Sequence, residues 1–254
     1  MHPRFLLRCA GVSVVGRRSN NQDALLLRPE LGLFAVADGM GGYEGGEVAS
    51  AAVVRAIEDF VARIAADPEG TWPVRPRRAV GPMGALLDAA VRAADRDVKA
   101  LRTGRLSRMG STATAVLLAG DRLAIGHVGD SRVYRLRGAL EQLTDDHSVA
   151  AELVRSGAQD VVAEQFANCL TRAIGMPDPF AVDVRVEPLC AGDRLLLCSD
   201  GLWGALSHDS LATLLAIEAP AEAAQCLIDA AYAGGSTDNI SAVVVEIQSP
   251  GSNP

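Results

Sequence analysis

The sequence predicts an α+β protein in which two packed, mainly antiparallel sheets carry helices on both outer faces. Short apolar segments with the character of strands recur from the beginning of the chain to its end. Two pairs of stretches show the periodicity of amphipathic helices, one pair early and the other late. With 254 residues, 49% of them apolar, the chain has enough hydrophobic side chains for one large core. Two sheets with a helix pair on each outer face use all of these elements.

The early part of the chain is predicted to hold three strands followed by two helices. Strands are expected at residues 5–15, at residues 24–27 and in the apolar run that ends at Asp38. Helices are expected at residues 47–66 and 83–101, because apolar side chains recur there every three to four positions. The proline-rich stretch 67–82 between the helices is predicted to be a mobile loop.

The middle of the chain is predicted to be an antiparallel meander. Strands are expected at residues 111–118, 122–128 and 132–137. The links at 119–121 and 129–131 have the length of hairpin turns, so each strand is expected to pair with the next.

The late part of the chain is predicted to add more strands and the second helix pair. A short helix is expected at residues 149–156, with Asp146 or Ser148 as its cap, and residues 170–175 are interpreted as strand or turn. Strands are predicted at 181–186, 193–198 and 240–247, and helices at 209–217 and 219–233. Residues 1–247 are expected to form a single domain, followed by a polar, disordered tail at 248–254.

Charge and composition argue against several classes of function. The formal net charge of −7 and the pI of about 5.1 argue against a surface that binds nucleic acid. No apolar run reaches 18 residues, so no membrane span is predicted. The first 16 residues resemble a signal peptide only weakly and are interpreted as the first strand. The five cysteines form no Cys-x-x-Cys pair, which favours a reduced, cytoplasmic protein.

Four apolar runs carry an aspartate at one end: Asp38, Asp130 and Asp200 follow their runs, and Asp238 precedes its own. Gly39 lets the backbone turn tightly beside Asp38 and leaves a carbonyl accessible. Carboxylate and carbonyl oxygens are the ligands that Mg²⁺, Mn²⁺ and Ca²⁺ prefer. Two carboxylates 4 Å apart repel each other by about 1 kcal/mol in water and by about 4 kcal/mol at an effective dielectric constant of 20. If the four converge, a multivalent cation is the natural compensation. The alternative for the Asp38 stretch, taken alone, is a strand that ends in an ordinary Asp-Gly turn.

A polar segment with two arginines, residues 16–23, separates the first two strand candidates. Arg18 in such a segment is able to hold a phosphate through two parallel hydrogen bonds. A solvated hairpin turn is the commoner meaning of this composition, and the residues alone leave both interpretations open. The glycine-rich stretch 39–46 does not have the pattern of a nucleotide-binding loop, because no Gly-Lys-Ser/Thr follows it.

Eight short motifs occur in order along residues 10–247. They are RSNNQD at 18–23, VADGMGG at 36–42, GSTAT at 110–114, GDSR at 129–132, LTDDHS at 143–148, LTRAIG at 170–175, CSDGLW at 198–203 and STDNIS at 236–241. Each motif is weak alone, but eight in this order are highly specific. With them the chain resembles the metal-dependent serine/threonine protein phosphatases of type 2C, particularly the compact bacterial forms.

The resemblance implies a four-layer α-β-β-α sandwich with a site for two Mn²⁺ or Mg²⁺ ions at one end. Asp38 would bridge the two metals, and the carbonyl oxygen of Gly39 would bind the second. Asp200 and Asp238 would hold the first metal. Asp130, together with Asp200, matches a weaker third metal site.

The resemblance also implies the catalytic roles and the reaction. Arg18 would hold the substrate phosphate and Asp23 would orient metal-bound waters, so that Arg18, Asp23 and Asp38 are the expected catalytic residues. The expected reaction is the hydrolysis of phosphoserine and phosphothreonine in proteins by a water between the metals. No phosphoenzyme is required, and no serine or cysteine of this sequence stands in a known nucleophile motif.

The chain departs from the family pattern in three places. Gln22 stands where the family usually has glutamate, which removes a charge behind the metal ligands. Met40 stands where many eukaryotic members have a histidine proposed as the general acid, so the leaving oxygen is expected to take its proton from a metal-bound water. The flap, at about residues 147–169, matches the bacterial pattern only at 152–157, which leaves the substrate unidentified.

The leading prediction is a cytoplasmic, monomeric phosphatase that acts on phosphoprotein substrates and opposes a cognate Ser/Thr kinase. A catalytically dead module that binds phosphoproteins is the second hypothesis, but such a protein is expected to have lost Asp38, Asp200 or Asp238, and all three are present. A phosphoesterase for small phosphate esters is the third hypothesis. The residue types at the metals do not exclude it, and turnover of phosphopeptides against metabolites would separate the two.

Overall fold

The computed structural model describes residues 5–41, 45–75, 81–157, 166, 169–177 and 180–249. Two antiparallel sheets pack face to face, and helices cover the outer face of each. This architecture confirms the predicted α+β sandwich.

The first sheet contains six strands, numbered here by their order in the chain. They are β2 (Asp23–Arg28), β3 (Leu33–Met40), β4 (Gly110–Ser111), β5 (Ala113–Ala119), β6 (Arg122–Val128) and β9 (Asp183–Pro188). Their order across the sheet is β2-β3-β5-β6-β9, and the short β4 pairs with the end of β3. All of these pairings are antiparallel.

The second sheet contains five strands. They are β1 (Leu6–Val14), β7 (Arg132–Arg137), β8 (Ala139–Gln142), β10 (Arg194–Cys198) and β11 (Ile240–Gln248). Their order is β1-β11-β10-β7-β8, again with antiparallel neighbours throughout.

Two long helices cover the first sheet and two shorter ones cover the second. In chain order, all the α-helices of the described residues are α1 (Gly45–Ala66), α2 (Gly81–Leu101), α3 (Val149–Arg155), α4 (Asp200–Trp203), α5 (His208–Leu215) and α6 (Pro220–Ala233). Helices α1 and α2 share a core with β3 and β5, and α5 and α6 share another with β10 and β11. Among the described residues no helix is both long and apolar enough to cross a membrane.

The core between the sheets is apolar on both sides. Phe34 and Val116 of the first sheet pack in one cluster with Leu195 and Val243 of the second, and all four are fully buried. Burial of apolar surface contributes about 25 cal/mol per Å², so this layer holds the two sheets together. It therefore fixes the relative position of residues at the ends of strands in different sheets.

The predicted meander is wrong at its second link. β6 pairs with β5 and β9 in the first sheet, whereas β7 pairs with β10 and β8 in the second. The link at 129–131 therefore crosses from one sheet to the other. Its backbone bonds to a distant histidine: the His147 N–H donates to Gly129 O (2.8 Å), and the Gly129 N–H donates to His147 Nδ1 (3.1 Å).

Several boundaries also differ from the predictions. β3 continues two residues past Asp38 to Met40, because its end pairs with β4. The short elements β8 and α4 were not predicted. The cap of α3 is Ser148, whose Oγ accepts the Ala151 N–H at 3.2 Å. Asp146, the alternative cap, pairs with Arg132 instead.

Three predictions fall wholly or partly outside the described residues. In the proline-rich loop, residues 76–80 are outside, and in the flap residues 158–165, 167 and 168 are outside. The tail prediction places 248–254 in disorder, but Gln248 belongs to β11 and pairs with Leu6, while 250–254 are outside. The single domain at 1–247 stays a prediction.

Candidate metal and phosphate site

Five aspartates reach the same end of the sandwich from both sheets. Asp23 and Asp38 stand opposite each other where β2 pairs with β3. Asp200 begins α4 two residues after β10, and Asp238 lies two residues before β11. Asp130 lies in the link that crosses between the sheets. The packing of the sheets thus brings together side chains that are far apart in sequence.

A cavity of about 530 Å³ opens at this end of the molecule. The predicted residues Arg18, Asp38, Gly39, Asp130, Asp200 and Asp238 all line it. Asp23 pairs with Asp38 and influences the titration of Asp38 through its charge. The structure therefore brings together every residue that the sequence predicted for the site.

The backbone of Asp38 is held by the segment that contains β4. The Asp38 N–H donates to Thr112 Oγ1 and the Thr112 N–H donates to Asp38 O, both at 2.8 Å. Thr112 Oγ1 also lies 2.8 Å from Ser131 Oγ, next to Asp130. One threonine therefore connects the ends of β3 and of the inter-sheet link.

Gly39 lies where the chain packs too closely for a side chain. Its N–H donates to Gln22 O at 3.0 Å. A Cβ atom at this position would come within 2.0 Å of Gly46 O and 2.7 Å of Gln22 O. Only glycine fits between the start of α1 and the segment before β2, which gives a packing reason for the glycine beside Asp38.

Asp23 is held on one of its two oxygens. Ser199 Oγ and Ser241 Oγ donate to Asp23 Oδ2 at 2.8 and 2.6 Å. Asp23 Oδ1 is buried and has no hydrogen-bond partner among the described residues, and the same is true of Asp200 Oδ1. Two buried carboxylate oxygens without partners are the feature that a bound cation or its waters would satisfy.

Arg18 lies at the rim of the cavity. Its Nη2 is 2.6 Å from Asp238 Oδ2, and its side chain is 55% exposed. Asn239 fixes the segment that carries Arg18: its Oδ1 accepts the Gln22 N–H at 2.9 Å, and its Nδ2 donates to two carbonyls of the segment at 2.8 and 2.9 Å. The arginine is thus presented to solvent on an anchored loop.

The link that contains Asp130 is held by Trp203, whose ring stacks against the guanidinium of Arg132. Trp203 Nε1–H donates to Asp130 O at 3.0 Å. The Arg132 guanidinium carbon lies 3.3 Å from the centroid of the Trp203 ring. The same guanidinium binds both oxygens of Asp146, with its Nε 2.9 Å from Oδ1 and its Nη2 2.7 Å from Oδ2.

Burial and mutual repulsion raise the pKa values of these carboxyl groups. Burial, followed by the charge of Asp200 and then that of Asp146, raises the pKa of Asp130 to about 7. Burial raises the pKa of Asp23 to about 6, although its bonds to the two serines act in the opposite direction. The pKa of Asp38 is raised well above its ordinary value by burial and by four neighbouring aspartates. Burial and Asp238 raise the pKa of Asp200.

The oxygen atoms of these residues suit a hard divalent cation, and part of the repulsion between the carboxylates is already offset within the site. Among the described residues, no three acidic, histidine or cysteine side chains already enclose one metal position. Arg18 pairs with Asp238, and the raised pKa values of Asp38 and Asp200 reflect their burial and the repulsion that remains. Buried carboxylates share protons and recruit cations when their repulsion is otherwise uncompensated. The donor set consists of oxygens, as Mg²⁺ and Mn²⁺ prefer.

The sequence reasoning missed the residues that support the site. Thr112, Ser199, Trp203, Asn239 and Ser241 position the aspartates but received no role. All five lie inside the motifs at 110–114, 198–203 and 236–241. Their membership of these motifs was the only signal, since nothing in a single serine or asparagine indicates which distant group it binds.

Comparison with known proteins agrees with this geometry. The sequence profile of protein phosphatase 2C matches residues 10–228. The chain is 37% identical over 242 residues to the serine/threonine protein phosphatase PstP of Mycobacterium tuberculosis, covering 91% of this chain and 43% of that protein. It is 33% identical over 225 residues to the serine/threonine phosphatase stp of Listeria monocytogenes, covering 84% of each. The chain thus spans less than half the length of the mycobacterial relative.

Solved structures show the same fold. The catalytic domain of PstP in complex with two manganese ions superposes with a TM-score of 0.81 at 37% identity, covering 95% of this chain and 98% of that one. The serine/threonine phosphatase Stp1 of Staphylococcus aureus gives a TM-score of 0.81 at 25% identity over 98% of both chains. Profile, relatives and architecture agree, and the chain belongs to the protein phosphatase 2C family.

Proposed function

We propose that this chain hydrolyses phosphoserine and phosphothreonine in proteins with the help of two Mn²⁺ or Mg²⁺ ions. The observation that carries the proposal is the convergence of carboxylates from both sheets on one cavity with Arg18 at its rim. An acidic pocket that contains an exposed guanidinium is suited to a phosphate group only if cations are also present. The matching PstP structure contains two manganese ions, which supports this choice.

The metal ligands are proposed on the positions that line the cavity. Two divalent ions would neutralise charge on the phosphoryl oxygens and would lower the pKa of the attacking water. Asp38 would bridge the ions, with Asp23 acting through water and Asp130 at a weaker third site; Gly39 O, Asp200 and Asp238 complete the set. The buried, unpartnered oxygens of Asp23 and Asp200 support the assignment.

The chain's own residues bind and orient the substrate. Arg18 contacts Asp238 through Nη2 alone in the part of the chain that the structure describes, so the rest of its planar guanidinium can face a phosphate. Asp23 stays in place because two serine hydroxyls hold its other oxygen. Met40 lines the cavity and has no proton to donate, so the leaving oxygen takes its proton from water.

The substrates are phosphoproteins, and the enzyme opposes a Ser/Thr kinase of the same cell. The names of the relatives as serine/threonine protein phosphatases support this class of substrate. A single catalytic domain at residues 1–247, a monomeric state and a cytoplasmic location complete the proposal. The acidic composition and the absence of a Cys-x-x-Cys pair from the sequence are compatible with it.

The test is the release of phosphate from a phosphothreonine peptide by the purified chain, with Mn²⁺ and with EDTA. Asp38→Asn is expected to lower the rate by more than about 100-fold, the upper end of the cost of removing even a partner behind a metal ligand. Asp59→Asn, on the exposed side of α1, is the matched control and is expected to retain full activity.

No release with any divalent metal from the folded protein would contradict the proposal and favour a phosphoprotein-binding module. Release that survives both EDTA and Asp38→Asn would mean that the site lies elsewhere. Faster turnover of small phosphate esters than of phosphopeptides would favour the metabolite phosphoesterase.

A further inference from the structure

A second cleft, of about 420 Å³, adjoins the metal cavity. Among the described residues the two share Arg18, Asp200 and Asp238 and nothing else. The Arg18–Asp238 ion pair therefore lies on the boundary between the two spaces. A phosphate held by Arg18 has the metal cavity on one side and this cleft on the other.

Main chain rather than side chains forms much of the second cleft. Four glycines line it, at positions 201, 204, 234 and 235. A Cβ atom on Gly201 would come within 2.0 Å of Asn239 O, and one on Gly234 within 2.9 Å of Ala205 O. The close approach of α4 to the segment after α6 therefore requires small residues on this side of the phosphate position.

One wall of the cleft is a tryptophan whose orientation is fixed. Trp203 donates its indole N–H to Asp130 O and packs against the Arg132 guanidinium. A ring held by both contacts loses little further freedom when it contacts a ligand, so contact with it costs less entropy. Trp203 is thus a preorganised apolar surface next to the candidate phosphate site.

The electrostatic character of the cleft disfavours anions. Apart from the shared residues, no charged side chain of the described chain lines it. Helix α6 ends at this wall, with Gly234 as its C-cap, and a helix C-terminus carries a partial negative charge. An uncharged side chain is therefore accepted here, and a carboxylate is repelled.

We propose that this cleft is the subsite for the residues that flank the phosphorylated serine or threonine on one side, and that it selects against acidic residues. The inference rests on the proposed phosphatase function and adds a determinant of peptide specificity to it. An extended chain advances about 3.3 to 3.6 Å per residue, so the first two neighbours of a phosphoresidue at Arg18 reach the cleft. The cleft's continuity with the phosphate position is what assigns a peptide to it.

The experiment compares three substrates with Mn²⁺ present: p-nitrophenyl phosphate, a phosphothreonine peptide flanked by alanines, and the same peptide flanked by glutamates. The wild type is expected to prefer the alanine peptide to the glutamate peptide by about tenfold in kcat/KM, the size of a modest pocket contact. Peptides truncated on either side of the phosphothreonine are expected to identify one flank whose removal lowers kcat/KM by a similar factor.

Ala205→Trp places a large side chain in the cleft, and Ala216→Trp makes the same change in a cavity that shares no described residue with the site. Ala205→Trp is expected to lower the ratio of kcat/KM for the alanine peptide to that for p-nitrophenyl phosphate by about tenfold, and to remove the effect of the flank. Ala216→Trp is expected to leave the ratio at its wild-type value.

Equal loss on peptide and on p-nitrophenyl phosphate, or loss on neither, would overturn the subsite alone. If Ala205→Trp does not fold, as shown by its melting temperature, the wild-type truncation series decides: equal kcat/KM for all truncated peptides overturns the subsite. A wild type that hydrolyses none of the three substrates overturns the phosphatase function as well.

Discussion

The ion pair of Arg18 with Asp238 contributes little to the stability of the fold, and the placement of Arg18 favours a role in ligand binding. Its partner Asp238 is 34% exposed and Arg18 itself 55% exposed, and ion pairs this open to solvent contribute about 0 to 1 kcal/mol to folding. The guanidinium nevertheless lies on a segment that Asn239 anchors with three hydrogen bonds. An anchored loop that presents an exposed cation is an arrangement for a ligand.

Arg18→Ala is therefore expected to lower kcat/KM for a phosphothreonine peptide by about 10- to 100-fold, the loss of one charge-assisted contact to phosphate. The melting temperature is expected to change little. Arg8→Ala is the control, because Arg8 forms an ion pair with Glu246 at 3.2 Å and neither residue lines the cavity. Steady-state kinetics and thermal unfolding of both variants provide the measurement; an equal kinetic loss in Arg8→Ala would contradict the assignment.

The sequence identifies the aspartates of the site but not the residues that aim them. Each aspartate stands beside an apolar run, and the position of a run in the sequence shows where its strand ends. By contrast, Ser199 and Ser241 bind Asp23 across 176 and 218 residues of chain. Such contacts depend on tertiary packing, and no local pattern encodes them.

At the scale of the elements, the long and strongly patterned segments are predictable and the short ones are not. The predicted β6 and β7 have the observed bounds, because their apolar runs are clear. β8 and α4 are four residues each, too short for a period to emerge. The link between β6 and β7 is as short as a hairpin, and length alone does not show that it changes sheets.

That link makes Trp203 a positioning residue for the candidate metal site. Trp203→Phe removes the N–H that holds Asp130 O while keeping a ring beside Arg132. The apparent affinity for Mn²⁺, measured by isothermal titration calorimetry, is expected to fall by about 3- to 10-fold, because one hydrogen bond contributes about 1 kcal/mol.

The other tryptophan of the chain provides the control. Trp72 packs edge-on against Phe60 of α1, with 6.0 Å between ring centroids, in the core that α1 and α2 share with the first sheet. Trp72→Phe is expected to leave Mn²⁺ affinity unchanged. A similar loss of affinity in both variants would indicate a general loss of stability rather than a role in positioning.

For the molecule as a whole, the candidate site concentrates repulsion between carboxylates, which the proposed cations would relieve. Asp23 and Asp38 belong to the first sheet, and Asp200 and Asp238 flank strands of the second. Without a cation, their repulsion acts across the interface between the sheets. Cations bound at the proposed ligands would connect the sheets through the same carboxylates, and their binding would stabilise the fold by mass action.

Asp38→Asn is therefore expected to be more stable than the wild type in EDTA at pH 8. The pKa of Asp38 is raised in the folded state, so its charged form disfavours folding. The penalty is absent at low pH, where the group is protonated in both the folded and the unfolded state. It grows by about 1.4 kcal/mol for each pH unit between the ordinary aspartate pKa and the raised one. Asparagine mimics the protonated form and avoids the penalty.

Urea unfolding of both proteins at pH 5 and pH 8 measures this difference. Burial lowers the pKa of His127 to about 3, which affects stability with the opposite sign, but it does so in both proteins and cancels in the comparison. Saturating Mn²⁺ is expected to reverse the order, because only the wild type keeps the carboxylate that is proposed to bridge the ions. Asp59→Asn is expected to follow the wild type throughout; a variant no more stable than the wild type at pH 8 would refute the account.

The antiparallel pairing of β1 with β11 places one end of this strand pair near the candidate metal site and the other end far from it. Val14 lies opposite Ile240 near the candidate metal site, whereas Leu6 lies opposite Gln248 at the other end of the ladder. Nine residues of strand span about 30 Å. Leu6 and Gln248 therefore lie side by side, remote from the candidate active site. A tether, a label or a short loop that joins these two ends in a circular permutant would leave substrate access open.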